Sequence, residues 1–294
     1  MTPKSLFAMG EWVIRSPPLT QHYSDLANNF VTSPLLPPKA LRDACTDFAR
    51  KAAREIMRIY AGDLGARTKA DKSPVTDADH AAEAIILAGL RKLTPHTPVV
   101  AEEEMAAGRV PQLDGGPFWL VDPLDGTKEF IKRNGEFTVN IALIESGRPI
   151  LGVVLAPASD TLWRGATTLG ADKSDRGRAF ERITTRVPPS AGLTACASRS
   201  HAIYSDLDIW FRNNDLIVAE RKQAGSSLKF CLIAEGQADI YPRFGPTNEW
   251  DTAAGHAVLE AAGGEVVTTD GKPLLYGKPN FSNPHFIARS KAAR

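Results

Sequence analysis

From Pro38 onward, apolar residues recur every three to four positions: Leu41, Cys45, Phe48, Ala52, Ile56 and Ile59. That period lays one apolar stripe along a helix. The stretch "GDLGARTKADKSP" breaks the pattern and predicts a loop. "TDADHAAEAIILAGLRKL" predicts a second helix, with Thr76 as N-cap and acids in the first turn. "TPVVAEEE" predicts a short strand ending in acids, and "PFWLVDP" a buried strand. "FTVNIALIESGRPILGVVLAPASDTLWRGA" predicts two or three strands with a tight turn at Ser146-Gly147. Further on, "LTACAS" predicts a strand, "SSLKFCLIAEG" a helix, "ADIYPRF" a strand, and "WDTAAGHAVLEAAGG" a small-residue helix closed by Gly263-Gly264.

Two stretches depart from these patterns. "RSPPLTQHYSDLANNFVTSPLLPP", within residues 1–37, is rich in Pro, Ser, Thr and Asn. It predicts an irregular arm, or a start codon assigned too far upstream. "GADKSDRGRAFERITTRVPPS" is basic and polar and is the best boundary candidate. The element order predicts a layered α/β or α+β protein in two lobes, 38–185 and 186–294.

Composition narrows the function classes. With 294 residues and 43% hydrophobic positions, the chain can bury a sizeable core. A net charge of +1 gives no argument for a nucleic-acid partner. Cys45, Cys196 and Cys231 form no CxxC, which fits reduced thiols in a cytoplasm. No apolar run reaches 18 residues, so no integral membrane segment is expected. The N-terminus also lacks a signal-peptide pattern.

Candidate chemistry lies in the acids. Asp122 and Asp125 flank Pro123-Leu124 and precede Gly126-Thr127. Proline has no backbone donor and is expected to end the ladder, after which glycine permits a tight turn. Both carboxylates and the Leu124 carbonyl could then face one point, as hard divalent cations require. The following amides could receive a phosphate. Asp-Pro and Asp-Gly are also ordinary turn punctuation, and the stretch alone does not choose between turn and site. Asp77 and Asp79, Glu102 and Glu103, and Asp251 each sit at another element end beside apolar sequence. Any one of them could serve only a helix dipole. Four element ends delivering acids match metal-assisted phosphoryl chemistry, which uses several carboxylates around paired ions.

"AEE" (101–103), "DPLDGT" (122–127) and "WDTAAG" (250–255) resemble the inositol monophosphatase-like family of magnesium-dependent, lithium-sensitive phosphatases over roughly residues 38–290. "SPVT", "GEFTVNIALI", "SRSH", "GSSLKF" and "YPRFGPTN" are more specifically similar to bacterial 3'(2'),5'-bisphosphate nucleotidases of sulfate assimilation. The resemblance implies a five-layered αβαβα sandwich. It implies that Glu102, Asp122, Asp125, Asp251 and the Leu124 carbonyl hold two Mg²⁺, with Asp79 at a third. Thr127, with Asp79 or Glu102, would orient and help deprotonate the attacking water. The Gly126 and Thr127 amides would take the scissile phosphate. His201, Ser226, Lys229, Arg243 and Asp251 would bind the nucleotide, with Lys69 in the loop that carries a metal-site lysine. Asp77 and Glu104 are acids beyond the usual set.

Each of these residues also has a plainer role open to it. Lys229 could lie on a solvated helix face, Arg243 could be structural, and His201 could cap a helix. Trp119, Phe130 and Phe137 are expected in the core, and Cys231 is expected to be a buried thiol. The implied activity is hydrolysis of adenosine 3',5'-bisphosphate (PAP) to AMP and phosphate, with PAPS as a further substrate. An inositol or other sugar phosphatase of the same fold is the alternative, and a non-catalytic phosphonucleotide-binding module is a third. The implied partner is a small-molecule nucleotide bisphosphate, with a homodimer left open. The expected location is cytoplasmic. Some relatives lie on the cytoplasmic face of the inner membrane, and nothing in this sequence reads as an anchor.

Overall fold

The protein was analysed as a computed structural model that describes residues 36–69, 74–198 and 204–293, with the backbone alone for 204–206. Nearly all of the expected N-terminal arm, and His201, lie outside the described residues. Helix α1 (Pro38–Tyr60) buries Leu41, Cys45, Ala52, Ile56 and Ile59, the stripe legible in the sequence. The expected loop after it contains a two-stranded antiparallel ladder, β1 (Arg67–Thr68) with β2 (Pro74–Val75). Helix α2 (Asp77–Leu93) starts at Thr76, whose hydroxyl accepts from Ala78 N while Asp79 accepts from Thr76 N. That reciprocal box satisfies amides that the first helical turn otherwise leaves open.

Next come β3 (Val99–Ala101), α3 (Glu102–Ala106), β4 (Phe118–Asp125) and α4 (Thr127–Ile131). The three glutamates thus open a short helix rather than end the strand, because the parallel ladder with β4 stops at Ala101. Strands β5 (Thr138–Glu145), β6 (Arg148–Ala156) and β7 (Thr161–Ala166) form a meander. Ser146 and Gly147 both have positive φ in its first turn, the conformation that matches strand twist. The boundary candidate instead begins with two more strands, β8 (Gly170–Asp175) and β9 (Glu181–Ile183). Pairing with β7 uses up its polar residues as a ladder. The seven-stranded sheet runs β3-β4-β5-β6-β7-β8-β9.

The chain crosses to a second sheet over 184–192. This sheet contains β10 (Leu193–Ser198), β11 (Val218–Ala224), β12 (Ile240–Arg243), β13 (Gly264–Thr268) and β14 (Phe286–Ser290), in the order β11-β10-β12-β14-β13. Helix α5 (Tyr204–Asn213) follows β10, α6 (Leu228–Ala234) follows β11, and α7 (Glu249–Ala261) follows β12. Of these, α5, β11, β13 and β14 were not among the elements expected from the sequence.

Alternating strand residues show the layers. Ile141 and Leu143 of β5 pack with α1 and α2, while Ala142 and Ile144 pack with α6 and α7. Tyr241 and Phe286 close the second side of α6 and α7. Ala195 and Ala197 face Leu207 and Phe211 of α5 on the far side. Both faces of both sheets are covered, giving the expected five layers, α-β-α-β-α. Trp119, Phe130 and Phe137 are fully buried, as expected. Among the described residues, no helix is long and apolar enough to cross a membrane.

The central layer is unusually close to the first sheet. Gly152 and Gly165 are register partners on β6 and β7. A Cβ on Gly152 would lie 2.4 Å from the Ala254 carbonyl, and one on Gly165 2.8 Å from Val258 Cα. The two glycines form a seat for α7, whose facing residues are themselves small. Gly152→Ala is therefore expected to cost about 1–3 kcal/mol of stability from overpacking. Gly62→Ala, where nothing lies nearer than 3.8 Å, is expected to shift stability by no more than about 0.5 kcal/mol. Urea unfolding midpoints of the two variants check the difference.

Candidate active site

The site begins with a change of register. Asp122 pairs with Asn140, but Asp125 pairs with Thr138, so β4 holds one residue more than β5 between these pairs. The sequence expectation that Pro123 ends the ladder is corrected here. Lacking an N–H, it sits in a bulge, and the strand resumes as far as Asp125. The bulge is tied internally, with Leu124 N donating to Asp122 Oδ1 at 3.0 Å. Gly126 then turns at φ 93°. A Cβ there would meet the Glu136 carbonyl at 3.1 Å, so glycine is required both for φ and for space. Beneath this turn, Tyr60, Phe130 and Phe137 pack as a ring trio with centroids 5.0–5.1 Å apart.

Four other element ends meet this turn. Asp79, in the first turn of α2, is buried; its Oδ2 takes both Thr76 donors and its Oδ1 lies 3.2 Å from the Thr127 hydroxyl. That hydroxyl is also 3.3 Å from the Leu124 carbonyl. Glu102 opens α3 and accepts from Lys69 Nζ at 2.8 Å, while the same ammonium binds Glu103 at 2.6 Å. Burial opposes the Lys69 charge, but the two carboxylates outweigh it and raise its pKa. Asp251, in the first turn of α7, accepts from Asn248 N at 2.8 Å. Asp125 Oδ2 is within hydrogen-bond distance of Ser226, Ser227 and Asn140, at 2.6, 3.1 and 3.4 Å. Ser227 Oγ lies 2.8 Å from the Asp251 carbonyl, joining the two ligand-bearing turns.

These acids share one electrostatic field. Burial pushes Asp122 well above the usual carboxylate range, and Glu102, Asp125, Asp251 and Asp79 each push it further. Asp251 is raised by burial first, then by Asp125 and Glu102. Several buried acids elsewhere in this protein have their own cations, while Glu83 has, among the described residues, only the Glu103 amide. Asp172 has Arg42 and Arg164, Asp239 has Arg186, and Glu249 has Lys278. Among the described residues, Asp79, Asp122, Asp125 and Asp251 have no such ion pair; their partners are hydroxyls and amides. Neutral donors orient a carboxylate without cancelling its charge, and buried uncompensated charge is costly. The oxygen-rich donor set and its unmatched charge fit hard divalent cations. Among the described residues, no three His, Cys, Asp or Glu side chains are already gathered to hold one ion.

The remaining expected residues lie on the side of the second sheet. Ser226, Lys229 and Arg243 line one cavity with Asp125, Gly126 and Asp251. Lys229 is buried rather than on a solvated helix face, and its ammonium donates to the carbonyls of Ala224 and Ser226. Burial lowers its pKa to about 8. Arg243 Nη2 donates to the Pro246 carbonyl at 3.0 Å, while its Nε has no partner among the described residues. The extra acids are held by surface arginines, Asp77 by Arg67 and Glu104 by Arg91 and Arg109. Cys231 is buried, with its thiol pKa raised by burial.

Sequence reasoning missed Asn140, Ser227 and Asn283. Asn283 Nδ2 is 2.7 Å from the Asn248 carbonyl and 3.0 Å from Thr252 Oγ1, bracing the start of α7. Its loop, "FSNPHF", carries no pattern that could have found it. Ser227 adjoins an expected residue, but its contacts come from separate elements.

Comparison with known proteins agrees with this geometry. Residues 39–293 match the model of the inositol monophosphatase family. The chain is 49% identical over 247 residues to the 3'(2'),5'-bisphosphate nucleotidase CysQ of Escherichia coli K12, covering 83% of this chain and 97% of that protein. It is 31% identical to the CysQ of Haemophilus influenzae, covering 81% and 88%. The crystal structure of CysQ from Bacteroides thetaiotaomicron superposes with a TM-score of 0.72 at 38% identity, covering 86% of this chain and 97% of that one.

The buried lysine gives a pH signature. Below about pH 8 both the folded and the unfolded chain carry the Lys229 proton. Between about 8 and the ordinary 10.5, the unfolded chain still binds it and the folded chain does not. Stability therefore rises with pH through that window. Relative to Lys229→Met, the wild type is expected to gain on the order of 2–3 kcal/mol between pH 7.5 and 10. Urea midpoints of both proteins across that range check the gain.

Proposed function

Because the chain belongs to the inositol monophosphatase family, we propose that it is a Mg²⁺-dependent 3'(2'),5'-bisphosphate nucleotidase, hydrolysing the 3'-phosphate of PAP to give AMP and phosphate. One observation carries the reading: among the described residues, Asp79, Asp122, Asp125 and Asp251 have no ion pair, whereas Asp172, Asp239 and Glu249 each have one. The 49% identity to a nucleotidase supports the substrate class.

Glu102, Asp122, Asp125, Asp251 and the Leu124 carbonyl would hold two Mg²⁺, with Asp79 at a third. Bound divalent ions would ease ionisation of the attacking water and neutralise charge on the transferring phosphoryl group. The chain's own groups do the positioning. The Gly126 and Thr127 amides would receive the scissile phosphate. The Thr127 hydroxyl, 3.2 Å from Asp79, would accept a hydrogen bond from the attacking water. As water oxygen bonds to phosphorus, its proton would pass toward Asp79 or Glu102. The bond from phosphorus to the 3' oxygen breaks, and that oxygen takes a proton from solvent. Asp125 Oδ2 already faces Ser226, Ser227 and Asn140, which leaves Oδ1 as the oxygen to face a cation. His201, Ser226, Lys229 and Arg243 would hold the other phosphate and the base, with Asp251 also reaching the substrate and Lys69 beside Glu102.

With Mg²⁺ present, phosphate release from PAP is expected to exceed release from inositol 1-phosphate and to be inhibited by Li⁺. Release from inositol 1-phosphate alone would overturn the substrate assignment. Asp122→Asn is expected to lose at least ~100-fold in kcat/KM. Its melting temperature without Mg²⁺ should equal or exceed that of the wild type, because one buried charge is gone. It should also lose the Mg²⁺-dependent rise in melting temperature.

A further inference from the structure

We propose that Lys128 is a specificity-determining residue that binds the second, non-reacting phosphate of the substrate. The inference rests on the bisphosphate nucleotidase reading above. A bisphosphate brings a second dianion into a cavity whose walls include Asp125, Glu129 and Asp251. Cations at the reacting phosphate do not serve that second group, and charge-assisted contacts from side chains must.

Besides Lys229 and Arg243, which the reading above assigns to it, one further cation among the described residues lines the cavity, Lys128. Lys229 is buried, and two of its three N–H groups are committed to the Ala224 and Ser226 carbonyls. Arg243 gives Nη2 to the Pro246 carbonyl and keeps Nε without a partner among the described residues. Both side chains brace the turns around them as well as facing the cavity. Lys128 differs on each count. It lines the same cavity and is exposed. It follows directly on the Gly126-Thr127 turn, whose left-handed glycine and α4 backbone fix where its stem starts. Among the described residues, no carboxylate or carbonyl is bonded to its ammonium, although charged groups stand on the same walls. A compact ammonium on a flexible stem, placed at a cavity mouth with no partner of its own, suits a mobile phosphate dianion.

The test compares adenosine 3',5'-bisphosphate with adenosine 3'-monophosphate, using wild type, Lys128→Gln and Lys128→Arg in the full chain with Mg²⁺. For Lys128→Gln, KM for the bisphosphate is expected to rise about five- to tenfold, against less than about twofold for the monophosphate. Its kcat on the bisphosphate should fall by less than about twofold, and Lys128→Arg should recover most of the KM. The wild-type KM for the bisphosphate should also rise more steeply with ionic strength than that of Lys128→Gln. Equal changes for the two substrates, or none for either, would overturn the assignment while leaving the nucleotidase reading intact. A wild type that hydrolyses neither nucleotide would overturn that reading and this assignment with it.

Discussion

The close seat of α7 on the first sheet is the constraint on which the rest depends. Asp251 comes from residue 251, far along the chain from Asp122 and Asp125, yet it must share their field. A helix ordinarily lies about 10 Å from a sheet it covers, with side chains between. Here Gly152 and Gly165 remove the side chains on one surface, and Ala254, Ala257 and Ala261 keep them small on the other. The axis of α7 drops toward the sheet and carries its first turn to the end of β4. Asn283 and Ser227 then lock that turn in place from two further elements.

Charge is organised around the same point. The protein stabilises several buried acids with arginine or lysine, as for Asp239, which takes a bidentate contact from Arg186. At the site it uses Thr76, Thr127, Ser226, Ser227 and backbone amides instead. These donors set direction and leave net charge, which is the condition for recruiting cations from solution. Lys69 is the exception, bridging Glu102 and Glu103 from the ladder before α2. It restrains the one acid of the set that arrives on a five-residue helix. Removing a neutral donor would let a carboxylate swing, whereas adding a cation would compete with the metal.

The second sheet supplies contrast rather than more acid. Its cavity wall mixes serines, a buried lysine and an arginine, and Tyr241, Phe230 and Phe286 pack edge-on or stacked behind it. That aromatic backing keeps Lys229 desolvated, which weakens its charge and binds it to the carbonyls of the turn it supports.

Features governed by near neighbours in the chain were legible from the sequence alone. The α1 stripe, the Thr76 cap, the Ser146-Gly147 turn and the close of α7 at Gly263 each depend on residues within about one helical turn. Asp79, Glu102, Asp122, Asp125 and Asp251 were legible as candidates because four separate element ends deliver acids beside apolar sequence, more than helix dipoles or turns alone explain. The bulge at Pro123 was not, since it exists only relative to Asn140 and Thr138 on another strand. Nor was the burial of Lys229, the seat made by Gly152 and Gly165, or the clasp of Asp125 by Ser227. The strands β11, β13 and β14 gave little local signal because their pairing partners, not their own alternation, hold them in place. The sequence by itself determined which groups could do the chemistry. Only the tertiary structure decided which of them meet, because the contacts that orient them span up to 102 residues of chain.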